Sequence, residues 1–215
     1  MASPRAISSP LRLALVGLFS AFLLFLGAGC EYSGSLGPGR FDTVIVDAGH
    51  GGHDSGARSV RGSNEKALAL DTAKRLAGIL RRRGFRVIET RTSDYFVTLG
   101  RRVAISNETR NSIFVSVHYN WTERSSARGL ETYYYSPQSQ LLANKVQREL
   151  AKAVSSNDRG VKRRGFYVLR KNRRPAILVE CGFVSNPSDN ATAQSASGRQ
   201  RIAEAIARGI IAARQ

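Results

Sequence analysis

Apolar residues along this chain follow two periodicities, one typical of buried strands and one typical of amphipathic helices. Short apolar or alternating runs predict strands over residues 41–47, 85–90, 113–118, 130–135, 166–169 and 176–179. Apolar residues at helical spacing predict helices over residues 66–83, 99–107, 140–154 and 201–213. Strands that alternate with helices predict an α/β fold, a single domain with a mixed, mostly parallel sheet flanked by helices.

Three of the predicted strands lead into residues that bind metals or move protons. His50 follows the first strand in a glycine-rich turn, His118 ends the third, and Glu180 follows the run over residues 176–179. Glu65 stands at the start of the first predicted helix. Because sites in such sheets gather at the carboxyl ends of the strands, we expect these four side chains to share one site.

Two histidines and a glutamate form the ligand set of an open catalytic zinc site, which keeps one position for water. A further carboxylate can take the proton of that water. Taken singly, each residue has a plainer reading, such as a hydrogen-bonded histidine or a first-turn helix acid. The chain has only three histidines, however, and two of them share the same setting at a strand end. The third, His53, is expected to be a solvent-facing loop residue.

The chain carries a formal net charge of +17, and its basic residues cluster at 81–83, 162–164 and 171–174. Two interpretations stay open, a solvated basic surface or a surface that attracts an anionic polymer. No nucleic-acid-binding motif accompanies the charge, so nucleic acid is not an expected partner.

The amino-terminal residues 1–29 have the features of an export signal. Arg5 and Arg12 precede the apolar run 13–26, and small residues lead to Cys30. This arrangement resembles the lipobox of bacterial lipoproteins, in which the cysteine is acylated, although plain secretion and an uncleaved membrane anchor are alternatives. Residues 30–40 read as a tether and residues 41–215 as the catalytic domain. The second cysteine, Cys181, is expected to be a small core residue.

Residues 41–214 resemble the zinc-dependent N-acetylmuramoyl-L-alanine amidases, whose catalytic domain occurs in bacterial cell-separation amidases and some endolysins. The resemblance rests on the segments 44–52, 64–66, 116–120, 128–133 and 178–186, which follow in the family's order. By resemblance, one zinc ion is held by His50, Glu65 and His118, and Glu180 is the catalytic base. The resemblance further implies hydrolysis of the amide between the lactyl group of N-acetylmuramic acid and L-alanine in peptidoglycan.

Two further residues are candidates for contact with the substrate or with a ligand of the metal, namely Glu131 and Asn120. Glu131 has a plainer alternative as a surface acid on an edge strand. Some cell-separation amidases carry a long insertion near this strand, and its helix blocks the zinc. Here Tyr135 leads almost directly into the helix near Gln140. We therefore expect an enzyme without that plug.

The expected enzyme is a monomer of the cell envelope that acts on peptidoglycan outside the cytoplasm. It is held, in this interpretation, to a membrane through Cys30. Two other functions stay open at this stage. One is a zinc exopeptidase-like hydrolase of wall peptides, and the other is a non-catalytic wall-binding protein with the same fold.

Overall fold

The strands of this protein form one sheet. The computed structural model describes residues 37–60 and 62–214. Within them, six strands pair side by side. They are β1 (Thr43–Ala48), β2 (Arg86–Glu89), β3 (Ser112–Asn120), β4 (Leu130–Tyr134), β5 (Asp158–Arg163) and β6 (Ala176–Phe183). The helices are α1 (Glu65–Arg82), α2 (Leu99–Glu108), α3 (Gln140–Ala153), α4 (Tyr167–Arg170), α5 (Pro187–Gln194) and α6 (Ala196–Ala213).

The order across the sheet is β2-β1-β3-β6-β4-β5. The first four strands of this order run parallel, whereas β4 pairs antiparallel with β6 and parallel with β5. The central strands are buried on both faces, which explains their continuous apolar runs. The predicted α/β fold with a mixed, mostly parallel sheet is confirmed.

Helices cover both faces of the sheet. The larger core lies between the sheet and helices α1, α3 and α6, and includes Leu76, Leu142 and Ile206. A smaller core lies on the other face, against α2 and α4. Cys181 is 2% exposed and belongs to the larger core, as predicted. The neighbouring Glu180 faces the opposite side, because side chains alternate along a strand.

The predicted strand over residues 166–169 is wrong, because the helix α4 occupies Tyr167–Arg170. Its two buried residues, Val168 and Leu169, are neighbours in the chain and do not alternate as strand residues would. Two elements have no counterpart among the predictions, the polar edge strand β5 and the short helix α5. Helix α6 begins five residues earlier than expected, where the Ser195 side chain accepts a hydrogen bond from the Gly198 amide.

The predicted export signal and Cys30 lie outside the described residues. Among the residues that the structure does describe, no helix is both long and apolar enough to cross a bilayer.

Candidate active site

The first histidine of the site sits in a strained turn directly after β1. His50 has φ 59°, in the left-handed region that residues with a Cβ rarely adopt. Arg102 of α2 stabilises the turn, because its Nη2 donates a hydrogen bond to the His50 carbonyl oxygen over 2.7 Å. The imidazole is held by Asp54, whose Oδ1 lies 2.9 Å from Nδ1. Strain that the surroundings enforce in this way commonly marks a functional residue.

Glu65 joins the two histidines. Its Oε2 lies 3.1 Å from His50 Nε2, and its Oε1 lies 2.9 Å from His118 Nδ1. The carboxylate also accepts hydrogen bonds from the backbone amides of Ala57 and Tyr119, over 2.9 and 3.0 Å. Glu65 is the first residue of α1, so the helix start aims it at the carboxyl ends of β1 and β3. One ligand atom from each of the three side chains lies within 4.8 Å of the others.

The three side chains shift one another's pKa values. Burial alone would lower the pKa of His50, but hydrogen bonds to Glu65 and Asp54 outweigh it and raise the pKa to about 9. Burial likewise opposes the Glu65 hydrogen bond at His118, and the net pKa of His118 is raised. The two histidines hold the pKa of Glu65 well below its usual range, against the opposite effect of burial. Protons and a metal cation would compete for the same donor atoms of such a cluster.

Glu180 lies beside this cluster on the neighbouring strand. In the parallel pairing of β3 with β6, His118 and Glu180 are directly opposite each other. Glu180 Oε2 is buried and has no hydrogen-bond partner among the described residues. Burial raises the pKa of Glu180 to about 7. A buried carboxylate oxygen without a partner is costly, and such a group is retained where it has chemistry to do.

A cavity of about 480 Å³ opens over the cluster. His50, His118 and Glu180 lie on its wall, and the exposed aromatic side chains of Phe96 and Phe166 lie at its sides. The cavity is large enough to bind part of a ligand, and its floor is the carboxyl end of the sheet.

Glu131 is part of the same face of the sheet but not of the cluster. It is 2% exposed, and its strand β4 lies between β5 and β6, so the alternative of a surface acid on an edge strand is wrong. The carboxylate accepts hydrogen bonds from Tyr133 and Arg159, and from Lys162 Nζ over 2.8 Å. Although burial alone would raise the pKa of Glu131, these donors lower it. Glu131 therefore stays charged next to Glu180, its partner in the antiparallel pairing.

The remaining sequence candidates take simpler positions. Asn120 ends β3, and its side-chain oxygen accepts a hydrogen bond from the Trp121 amide. A role for Asn120 in binding substrate stays a prediction. His53 is exposed, as predicted, and its ring packs 4.1 Å from that of Phe96, centre to centre.

Sequence reasoning missed two supporting residues, Asp54 and Arg102. The signal for Asp54 was its place four residues after His50 in the glycine-rich turn. Arg102 had no local signal, because its contact with Asp47 and the His50 turn joins positions 55 and 52 residues apart.

The three clustered side chains fit a divalent metal ion. Imidazole nitrogens and a carboxylate oxygen are the donor set of catalytic zinc, and donors bound to one tetrahedral ion lie roughly 3.3 Å apart. The histidine–glutamate distances of 3.1 and 2.9 Å, measured to the two different oxygens of Glu65, are close to that spacing, and one donor atom from each side chain lies within 4.8 Å of the others. With Glu180 beside it, whose Oε2 has no hydrogen-bond partner among the described residues, the arrangement has the parts of a metal-dependent hydrolase.

Comparison with known proteins identifies the family within this class. A profile described as N-acetylmuramoyl-L-alanine amidase matches residues 44–212. The solved N-acetylmuramoyl-L-alanine amidase AmiC2 of Nostoc punctiforme is 40% identical with a TM-score of 0.77, covering 79% of this chain and 95% of that one. The catalytic domain of CwlV from Bacillus (Paenibacillus) polymyxa var. colistinus is 36% identical with a TM-score of 0.77, covering 80% and 97%.

The N-acetylmuramoyl-L-alanine amidase LytC of Bacillus subtilis is 36% identical over 174 residues. The match covers 79% of this chain but 35% of LytC, so the chain spans about a third of that relative. The chain belongs to the N-acetylmuramoyl-L-alanine amidase family. The predicted family, the peptidoglycan amidase function and the enzyme class, a hydrolase, are confirmed.

Proposed function

We propose that this amidase hydrolyses the amide between the lactyl group of N-acetylmuramic acid and L-alanine of the stem peptide. In this proposal one zinc ion is held by His50, Glu65 and His118, and Glu180 is the general base. The observation that carries it is the buried Oε2 of Glu180, which has no hydrogen-bond partner in residues 37–60 and 62–214. Glu180 lines the same cavity as His50 and His118, two of the three clustered side chains.

A zinc ion in such a site supplies a water of lowered pKa and polarises the substrate carbonyl. Glu180 accepts the proton of the attacking water at Oε2 and passes it to the leaving nitrogen of L-alanine. Glu131 keeps a fixed negative charge on the neighbouring strand, where Lys162 and Arg159 neutralise it. Within the part of the chain that the structure describes, no group donates a hydrogen bond to Oε2 of Glu180, so this oxygen is available to accept that proton.

The test is product analysis after digestion of purified sacculi. Mass spectrometry of the released fragments is expected to show intact stem peptides that begin with L-alanine, and a chelator should abolish their release. A zinc exopeptidase would instead release single amino acids or shortened peptides. A non-catalytic wall-binding protein would sediment with the sacculi and release nothing.

We further propose that no built-in plug controls access to this site. Strand β4 ends at Tyr134 and α3 begins at Gln140, with a single 3-10 turn between them at Pro137–Ser139. The isolated domain should therefore digest sacculi without an added protein. Strict dependence on a second protein would contradict this part of the proposal.

The cellular setting is also a proposal. The basic and apolar pattern of residues 1–29 supports export to the cell envelope, with acylation of Cys30 as the anchor and a monomeric domain beyond the tether. Expression of the full chain in a bacterium, followed by mass spectrometry of residue 30, tests this directly. A Cys30→Ser variant should lose the lipid and leave the membrane fraction. An unmodified Cys30 in the mature protein would contradict lipidation.

A further inference from the structure

One end of the domain carries a dense group of arginines. Where β1, β2 and β3 begin, two neighbouring clefts share Asp42 and Asn111. These clefts and the adjoining ends of α1, α2 and α6 form what we call the amino-end face. Its exposed basic residues are Arg40, Arg82, Arg83, Arg86, Arg110, Arg173 and Arg214.

Several observations place these arginines together. Arg40 and Arg214 line one of the two clefts, and Arg86 and Arg110 line the other. Arg82 ends α1, and Arg83 follows it on the way into β2. The Arg173 amide donates to the Asn107 side chain near the end of α2, over 2.7 Å. Residues that are far apart in the sequence thus converge on one surface.

The charge of this face is only partly neutralised by nearby acids. Two exposed acids lie in the same clefts, Asp42 and Glu108. Glu108 is 4.0 Å from Arg101, which is not one of the seven arginines. Among the described residues, no ion pair involves Arg83, Arg86 or Arg110. The face therefore presents a surplus of positive charge to whatever it meets.

The position of the face argues against a role in holding the substrate. His50 follows the carboxyl end of β1, and Glu180 lies in the second half of β6. The six residues of β1 separate the two ends of that strand by about 20 Å. A wall polymer bound at the amino-end face would lie on the far side of the domain from the cavity. A flat surface bound there would instead leave the cavity open on the other side.

The chain itself leads to this face. Arg40 directly precedes the start of the domain, and the apolar run 13–26 and Cys30 lie upstream of it in the sequence. Even fully extended, the residues between Cys30 and Arg40 can span only about 35 Å. A membrane attachment through the apolar run 13–26 or through Cys30 would hold the amino-end face near the bilayer.

We propose that the amino-end face binds the anionic surface of a lipid bilayer and so turns the catalytic cavity away from the membrane. Each arginine near an anionic bilayer strengthens binding about fivefold, and salt weakens the attraction. A polybasic patch of this kind can act as the second signal that stable membrane anchoring needs. Membrane binding by this face depends on its charge and position and not on the amidase reaction. Membrane binding and amidase activity can therefore be disproved independently.

The test uses the domain of residues 35–215, which forms one compact unit. The CwlV catalytic domain, of which this chain covers 97%, is solved as a separate structure, so a domain of this extent folds alone. Sedimentation with vesicles of phosphatidylcholine and phosphatidylglycerol is compared with vesicles of phosphatidylcholine alone. We expect binding to the anionic vesicles only, and release when sodium chloride rises from about 0.05 to about 0.5 M.

Two variants with the same net charge localise the effect. One replaces Arg83, Arg86 and Arg110 by alanine, and its vesicle affinity should fall at least tenfold. The matched control replaces three other exposed basic residues by alanine, and its affinity should change less than threefold; these residues are Lys74, Arg124 and Arg201. Circular dichroism verifies that both variants fold.

Three results would overturn the proposal. The first is that the domain does not bind anionic vesicles. The second is that the two variants lose vesicle affinity equally. The third is that the first variant loses binding to sacculi but keeps binding to vesicles. The last result would assign the face to the wall polymer.

Discussion

Loss of Arg102 from its buried ion pair with Asp47 should strongly destabilise the domain beneath the His50 turn. Arg102 is 3% exposed and Asp47 is 1% exposed, and their charged atoms are 2.6 Å apart. The same guanidinium donates to the carbonyl oxygens of Val97, Ala48 and His50. Replacing Arg102 by methionine keeps much of the volume but removes every one of these donors.

The expected loss follows from what stays behind. Removing one partner of a buried ion pair leaves the other charge without compensation and costs about 3–5 kcal/mol. Asp47 keeps hydrogen bonds from Thr90 and Ser116, each of 2.6 Å, so the lower half of that range is expected. A typical domain has only about 5–15 kcal/mol of folding free energy, so the variant loses a large share of it.

The assay is urea unfolding of the domain, followed by circular dichroism in the presence of a chelator so that metal binding does not contribute. The matched control is Arg101→Met, because the Arg101 side chain is 62% exposed and lies 4.0 Å from Glu108. An exposed pair contributes at most about 1 kcal/mol. A loss below about 1 kcal/mol for Arg102→Met, or equal losses in the two variants, would show that removing Arg102 does not leave Asp47 as a costly buried charge.

Three further predictions concern the cluster itself. Asp54→Asn should weaken zinc binding about 10–100-fold, measured by competition with a chelating dye, because Asp54 holds the His50 ring; unchanged affinity would contradict this. Gly49→Ala should abolish activity on sacculi, since its Cβ would lie 2.4 Å from His118 Cε1, whereas Gly100→Ala meets nothing within 4 Å and should keep activity. Zinc binding at about pH 7.5 should release at least one proton, because a His50 ring with a pKa raised to about 9 is protonated at that pH and zinc needs the neutral ring. Calorimetry in two buffers of different ionisation enthalpy measures the release, and binding without it would contradict this prediction.

The sequence was most informative where burial imposes a pattern. The apolar runs of β1 and β3 and the helical spacing of α1 are strong local signals, because each element packs its apolar side against the sheet or a helix layer. The positions of His50, His118 and Glu65 followed from these elements, since strand ends and helix starts fix where a side chain points.

Elements without a clear pattern of buried positions were not predicted correctly from the sequence. Strand β5 pairs along one edge only and is largely polar, so no alternation distinguishes it from a loop. The run that became α4 is apolar over four residues, a length at which a strand and a helix cannot be told apart.

The surroundings of the site depend on contacts between distant segments. Glu131 was open to two interpretations because its burial depends on β5, an element the sequence did not reveal. The role of Arg102 depends on helix α2 packing beneath the β1 turn. Neither contact leaves a local pattern in the chain.

We propose that Glu180 acts as the base while His50, Glu65 and His118 hold the metal. The most direct measurement is made on Glu180→Gln, as zinc content per domain together with release of stem peptides from sacculi. The control variant is Glu204→Gln, an exposed acid on α6. We expect one zinc ion per domain in both variants, with release of stem peptides lost in Glu180→Gln and kept in Glu204→Gln. Release of stem peptides by Glu180→Gln at the rate of the control would contradict it.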